Sequence, residues 1–339
     1  MNKTNENSSS TGVSFVLCCY NSEALVADTI NALNNQINNG IPFEVILVDN
    51  NCTDYTVSVA ESVWARSDAK LHVVKEKTPG LSFARKRGVR ETKYSIISFV
   101  DDDNIVEPEW VKKVFYLFEN KPDVGAVGSY NLPLIETKEP AWFEQYMHNY
   151  ACGKLYPASG IVSGNKKKHL WGAGLSIRSK IIKKIYSADL PLYLTGRKGN
   201  LILAGDDSEI CFYCCLLGWD LWYEHDLTLH HKIQPSRLTW NYLCKMHEGF
   251  GYCSPILEIY KRLIDNQFSL SFSALFFNKL MTFCYIVMRY NVRLMVNREG
   301  QHFQVLFYSA WGSLKGTFGL RKSYGRMVKQ IRQFFSTQR

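Results

Sequence analysis

The chain has no glycine-rich phosphate loop. Neither GxGxxG behind the first apolar stretch nor GxxxxGK followed by Ser or Thr occurs in its 339 residues, which excludes the usual dinucleotide fold and the P-loop nucleotidases. A bound nucleoside diphosphate would need a metal ion and basic side chains in place of such a loop. An uninterrupted run of about twenty apolar residues, the length of a membrane span, is also missing. The best candidate, 268–288, is broken by Asn278 and Lys279, and a Lys at that depth is costly. Residues 13–19 are too short for the apolar core of a secretory signal and lack a cleavage pattern. Internal repeats are absent. Cys211 and Cys214 have no second pair at zinc-site spacing. The ten cysteines are scattered, several of them inside apolar stretches, so reduced, buried thiols in a cytoplasmic protein are expected.

What is present is a globular composition, with 46% hydrophobic and 21% charged residues and a formal net charge of +9. The length suits one large domain with an appendage, or two domains. Residues 1–12 are polar and low in complexity and read as a disordered leader. Val13–Cys19, Phe43–Val48, Leu71–Val74 and Ser95–Val100 are short, β-branched apolar runs, the pattern of buried strands. Between them lie helical patterns. Val26, Ile30, Leu33 and Ile37 recur at helical spacing, and Leu81–Glu91 is a basic helix carrying Arg85. Strand and helix thus alternate four times before residue 120, the signature of a mostly parallel sheet with helices on both faces. Pro108 opens a helix with Trp110, Val114 and Leu117 on one side, and Val124–Ser129 is a further strand. Residues 131–170, with many aromatics and the run Lys166-Lys167-Lys168, lose the alternation and read as a long functional loop or a solvated one. Gly172 and Gly174 mark a place where backbone could approach a ligand.

The chemistry concentrates at Asp101-Asp102-Asp103. A strand that ends in acids puts negative charge at the carboxyl edge of a sheet, where open α/β folds bind ligands. In an extended segment, side chains two apart point the same way, so Asp101 and Asp103 could converge on a Mg²⁺ or Mn²⁺ ion, with Asp102 turned aside. Asp49 ends the second strand and should share that edge, either to contact a nucleotide or, with Asp54, to cap the following turn and helix. Asp206 and Glu209 have the spacing of a capping box, which leaves Asp207 as a spare carboxylate able to act as a general base. His230 and His231 follow a strand, as core histidines or as ligands completing a carboxylate metal site. From about Leu238 the chain is helical. After Glu299 there is no acidic residue, while Lys315, Arg321, Lys322, Arg326, Lys329, Arg332 and Arg339 occur. Val328, Ile331 and Phe335 form a stripe in that tail, a basic amphipathic helix suited to an anionic leaflet. For 268–288 three fates stay open: a span, a core helix or an interfacial helix.

In order along the chain, VSFVLCCYNSEA, FEVILVDNNCTD, GLSFARKRGV, IISFVDDDNIVEPEWV, AGDDSEICFYCCLLGW and HHKIQPSRLTW resemble the motifs of the family-2 glycosyltransferases of the GT-A fold, over about residues 13–240. The resemblance implies a GT-A domain at 13–237, and the helical, basic region at 238–339 that follows is a candidate for membrane association. It implies inverting transfer of a sugar from a nucleotide-diphosphate sugar with Mn²⁺ or Mg²⁺. Two other readings stay open: a metal-dependent nucleotidyl or phosphoryl transferase using Asp101, Asp103 and Asp207, and a non-catalytic membrane-surface scaffold on a transferase fold. Asp49, with Tyr20 and Asn21, would meet the nucleotide. Asp101, Asp102 and Arg85 would lie at the ribose and diphosphate, and Asp101, Asp103 and His231 at the metal. Asp207 would be the base, and Arg237 would reach the leaving diphosphate. Three places depart from the family pattern: Asp206-Asp207 stands for Glu-Asp, Ala84-Arg85-Lys86 for Ala-Arg-Asn, and Asn51-Cys52-Thr53 for Gly-Ser-Thr. The implied partners are a nucleotide-sugar donor, a carbohydrate or lipid-linked acceptor and an anionic membrane surface, with no nucleic acid. The expected location is the inner face of the cell membrane, where the protein would be peripheral.

Overall fold

The computed structural model describes residues 10–164, 169–187, 192–194, 196, 203–265, 267, 271–290 and 299–336. The lysine run at 166–168 and most of the leader lie outside them. The described chain forms two compact units, one of Met1–Ala188 with Tyr213–Ile233, the other of Asp189–Phe212 with Gln234–Arg339. The change of unit therefore falls after Ile233, four residues before the expected boundary, and an inner segment joins the helical unit.

In chain order the first unit contains β1 (Ser10–Cys19), α1 (Val26–Asn34), β2 (Phe43–Asp49), α2 (Thr56–Val63), β3 (Lys70–Lys75), α3 (Leu81–Glu91), β4 (Tyr94–Asp101), β5 (Asn104–Val106), α4 (Trp110–Asn120) and β6 (Val124–Leu134). It continues through α5 (Phe143–Tyr146), β7 (Gly160–Ile161), β8 (Ser176–Arg178) and α6 (Ser179–Ser187). The helix α7 (Asp206–Leu216) starts in the second unit and ends in the first, which closes with β9 (Asp220–Lys232). The sheet order is β3-β2-β1-β4-β8-β6-β9-β5, with β7 paired to β9. Its first half, β3 to β4, is all parallel. Its second half mixes directions, with β8 antiparallel to both β4 and β6.

Every residue of β2 is buried, as a parallel strand covered on both faces requires. On one face Phe15, Leu17, Val45 and Leu47 pack with Val26, Ile30 and Leu33 of α1 and with Trp110 and Val114 of α4. On the other, α3 sits close because Gly88 has no side chain: a Cβ there would lie 2.5 Å from Val16 and 3.0 Å from Val48. Ile37 is exposed, because α1 stops at Asn34 before a fourth turn can bring it inward. Gly174 serves packing rather than ligand approach. Its φ is +76°, and the space beside it is filled by Ser129, Leu229 and Trp110.

The second unit is helical: α8 (Trp240–Ile264), α9 (Phe272–Tyr290), α10 (Glu299–Gly319) and α11 (Tyr324–Ser336). The axes of α8 and α10 nearly touch. A Cβ added at Gly251 would meet the Ser309 carbonyl oxygen at 2.0 Å, and one at Gly312 or Gly316 would meet the Glu248 or Tyr252 oxygen at 2.0 or 2.1 Å. Of the stripe expected to face a bilayer from the tail helix α11, Val328 and Ile331 are instead buried in the protein, with Met327 beside them, and the Phe335 side chain lies outside the described residues. No helix among the described residues is long and apolar enough to cross a membrane.

Candidate active site

Three parallel strands end side by side. In the β1–β2 ladder Cys19 is level with Asp49, and in the β1–β4 ladder Cys18 is level with Asp101. Asp49 and Asp101 therefore flank the end of β1, two strands apart, or about 10 Å at the usual spacing. Between them emerge Tyr20, 60% exposed, and Asn21, in the left-handed region at φ 51°.

The Asp49 side of this edge is pinned by short polar contacts. Asn21 Oδ1 accepts from the Thr53 amide at 2.8 Å, and Asp49 Oδ1 accepts from the Cys52 amide at 2.8 Å. Asp54 accepts from the Thr56 amide at the head of α2. The turn-capping reading of Asp49 and Asp54 is thus realised. Asn50, which carries no chemical signal in the chain, ties three segments together. Its amide donates to the Glu76 and Thr78 carbonyls and its oxygen accepts from Gly80.

On the acidic side the chain does not stay extended through Asp103. It turns between β4 and β5, and the clip is Asn104, whose Oδ1 accepts from the Asp101 amide and whose Nδ2 donates to Asp103 Oδ1 at 3.0 Å. The alternation expected for Asp101 and Asp103 on one strand is therefore replaced by a turn, with Asp101 partly exposed and Asp103 only 4% exposed. Each carboxylate has a buried cation beside it. The Arg85 guanidinium, 3% exposed, lies 3.6 Å from Asp101 and over the Phe99 ring. His231 Nε2 lies 3.4 Å from Asp103, and its Nδ1 faces the Tyr150 carbonyl at 2.8 Å.

Both histidines lie within β9 rather than after it. The register pairs His231 with Asn104, which places it against Asp103, while its neighbour His230 alternates to the exposed side. Burial alone would strip the proton from His231, but the charge and hydrogen bond of Asp103 outweigh this and lift the ring to about 10. Both ring nitrogens face acceptor oxygens, Asp103 Oδ1 and the Tyr150 carbonyl, an arrangement that favours the protonated ring.

Among the described residues no three His, Cys, Asp or Glu side chains form a ready metal centre. Two carboxylates at an open edge suit an ion of the Mg²⁺ kind, which commonly takes one or two protein carboxylates and fills its shell with phosphate and water. The cysteines are all free thiols, Cys211 and Cys214 among them.

Asp207 and Arg237 belong to the second unit. Asp207 sits in the first turn of α7, half-buried, its Oδ1 accepting from the Ser208 amide at 2.6 Å. Arg237 ends a short 3-10 turn and is also half-buried. The capping box expected for this helix is not formed. Glu209 is fully buried and accepts from the Tyr193 and Leu194 amides, each at 2.9 Å, and from the Tyr260 hydroxyl. Burial pushes its carboxyl up to about 7, against the pull of those three donors.

A half-sheet of parallel strands alternating with helices, extended by a mixed half and with acids at its carboxyl edge, is an α/β fold of the GT-A kind. The model of the family Glycosyl transferase family 2 matches residues 14–186, just over half the chain. The chain belongs to that family. It is 22% identical over 260 residues to the glucosyl-dolichyl phosphate glucuronosyltransferase of Haloferax volcanii, covering 75% of this chain and 80% of that one. It is 27% identical over 153 residues to an uncharacterized glycosyltransferase of Haemophilus influenzae, spanning 46% of that relative's length. Among solved structures, S. aureus TarS 1-349 in complex with UDP-GlcNAc shares the fold, with 13% identity, a TM-score of 0.53 and coverage of 93% of this chain and 92% of that one.

Proposed function

We propose that the protein transfers a sugar from a nucleotide-diphosphate sugar to an acceptor hydroxyl, with inversion at the anomeric carbon, in the synthesis of a cell-surface polysaccharide or glycolipid. The observation that carries this reading is the pair Asp49 and Asp101 flanking the end of β1, with Arg85 buried behind Asp101. Asp49, Tyr20 and Asn21 receive the base and ribose, and Asp101 and Asp102 the ribose and diphosphate. Asp101 and Asp103 hold a Mn²⁺ or Mg²⁺ ion, which when bound supplies positive charge to the leaving diphosphate. Arg85 and Arg237 add to that charge from the protein side, and His231, beside Asp103, stands at the metal and the leaving diphosphate.

Asp207 is the base of this proposal, on the strength of its place in the AGDDSEIC motif. The acceptor oxygen attacks the anomeric carbon as the sugar–phosphate bond breaks, and the hydroxyl proton passes to the carboxylate. The name of the Haloferax relative, which acts on a glucosyl-dolichyl phosphate, favours a lipid-linked or membrane-proximal acceptor for this chain too.

The test is release of nucleoside diphosphate from a panel of nucleotide sugars, with and without Mn²⁺. Asp103→Ala is expected to abolish turnover while the fold survives. Asp207→Asn should retain donor binding and lose turnover by roughly a hundredfold or more, the scale of a lost general base. Full activity of Asp103→Ala in chelator would refute the metal assignment. An inactive Asp206→Asn beside an active Asp207→Asn would reverse the assignment within the pair.

A further inference from the structure

The helix α9 leaves much of its apolar surface exposed. At about 100° per residue, one continuous arc of roughly 160° carries Phe276, Leu280 and Phe283 on one flank and Phe277, Met281 and Met288 on the other, with Ser273 and Cys284 its least apolar members. Phe276, Leu280 and Phe283 are half-buried, while the other flank of the arc faces away from the protein. Phe277, Met281 and Met288 are 59%, 49% and 70% exposed, and the adjacent Tyr285 is 54% exposed. The inward side carries Leu275, 2% exposed, together with a lysine. Lys279 Nζ pairs with Glu258 of α8 at 2.8 Å, and Lys279 and Thr282 line a cleft that Ile286, Leu306 and Ala310 share with serines of α8 and α10. A water-facing helix does not leave so many large apolar side chains in solvent.

The arc continues onto α10. Phe276 lies against Phe318 and Phe283 against Trp311, with ring centroids 6.5 and 5.6 Å apart, and both α10 rings are themselves exposed. The patch is edged with positive charge. Arg289 lies over Tyr285, Lys315 over Trp311 and Arg321 over Phe318. Lys315 shares its charge with Glu248, whereas the sequence beyond Glu299 brings no acid to this side. Exposed aromatics paired with Arg and Lys around an apolar helix face match the headgroup boundary of an anionic bilayer, where rings sit among the acyl chains and cations reach the phosphates.

We propose that the outward arc of α9, with Trp311 and Phe318 of α10, is the surface by which this protein lies on an anionic membrane, the α9 axis parallel to the bilayer. This rests on the reading of a membrane-proximal acceptor given above, and it assigns the role to α9 rather than to the basic tail. Two substitutions of half-exposed side chains, Phe277→Ser and Met281→Ser, leave the packed side of α9 untouched.

The experiment is flotation with phosphatidylcholine vesicles, with and without phosphatidylglycerol, of the full chain and of this double variant. The parent protein is expected to float with the anionic vesicles, and less so as salt rises. The double variant should bind roughly tenfold or more weakly, given the apolar area removed, with an unchanged melting temperature and unchanged release of nucleoside diphosphate from donor in solution. A parent protein that stays unbound at low salt, or a double variant that floats equally well, overturns the proposal. So does a stable dimer that ignores vesicles and is broken by the same substitutions, which would assign the face to a second copy of the chain. Vesicle binding that persists in a protein unable to turn over any nucleotide sugar upholds the surface and refutes the reading of the sheet edge instead.

Discussion

In α11, Met327, Val328 and Ile331 turn inward and Arg326, Lys329 and Arg332 meet solvent; in α9, Phe277, Met281 and Met288 turn outward and Lys279 meets protein. Both helices are apolar and basic, and each has two clearly different sides. The contrast shows that amphipathic patterning establishes that a helix has two faces, not which face the protein takes. That choice is made by the neighbour. α8 offers Glu258, already paired with Arg262, and a carboxylate in this setting attracts the Lys279 side of α9, leaving Phe277, Met281 and Met288 exposed.

The comparison breaks most readily at α11. Ile331→Asp puts a charge into a fully buried site and is expected to cost about 4 kcal/mol of stability, read by chemical denaturation. Survival of a native-like melting profile would mean that the stripe of α11 is not core after all. Next, Gly312→Ala should cost about 1–3 kcal/mol by overpacking, since its Cβ would strike the Glu248 carbonyl. Lys279→Ala should cost about 1 kcal/mol, as it removes one partner of a half-buried pair while Arg262 remains. The smallest effect is expected on the outer side of α9, where Met281→Asp should change stability by no more than about 0.5 kcal/mol. A large loss there would show that protein, not lipid or water, covers the arc.

Acidity sharpens the same contrast between buried acids of the helical unit. Glu209 is held above the usual carboxylate range, to about 7, by burial. Its native form prefers the proton, so stability is full below the unfolded value and falls as pH rises through about 7. Glu258 has the opposite sign. Burial acts to raise it, but Lys279 and Arg262 outweigh this and hold it below its ordinary value, so its contribution is present above the unfolded value and fades in acid. Glu209→Gln is therefore expected to flatten the stability profile between the ordinary Glu range and neutrality and to leave the acid limb intact, as read from melting temperature against pH.

The parallel half of the sheet was readable from the chain because β1 to β4 are local, β-branched runs separated by short helices. The second half was not. The pairing of β8 between β4 and β6 joins segments about 50 to 80 residues apart, and no periodicity encodes such a register. The same limit applied at the site. Asp49 and Asp101 were visible as strand ends, but the turn at Asp102-Asp103 and its Asn104 clip were hidden behind a run that looked extended. His231 could be separated from His230 only once β9 was known to pair with β5. Glu209 had the spacing of a cap, and burial against Tyr260 gave it another use. Asn50 carries no chemical signature at all, because its importance lies in which backbone groups happen to surround it.

The three glycine contacts between α8 and α10 have a thermodynamic consequence. Backbones in direct contact leave little freedom to slide, so the positions of Trp311, Lys315 and Phe318 along α10 are set before any surface is met. Attachment to a bilayer would then order few new dihedrals, and its entropic penalty would fall mainly on loose side chains and on the lipids. The far-ultraviolet circular dichroism of the protein should accordingly stay constant through a vesicle titration, unlike that of a peptide that folds as it adsorbs.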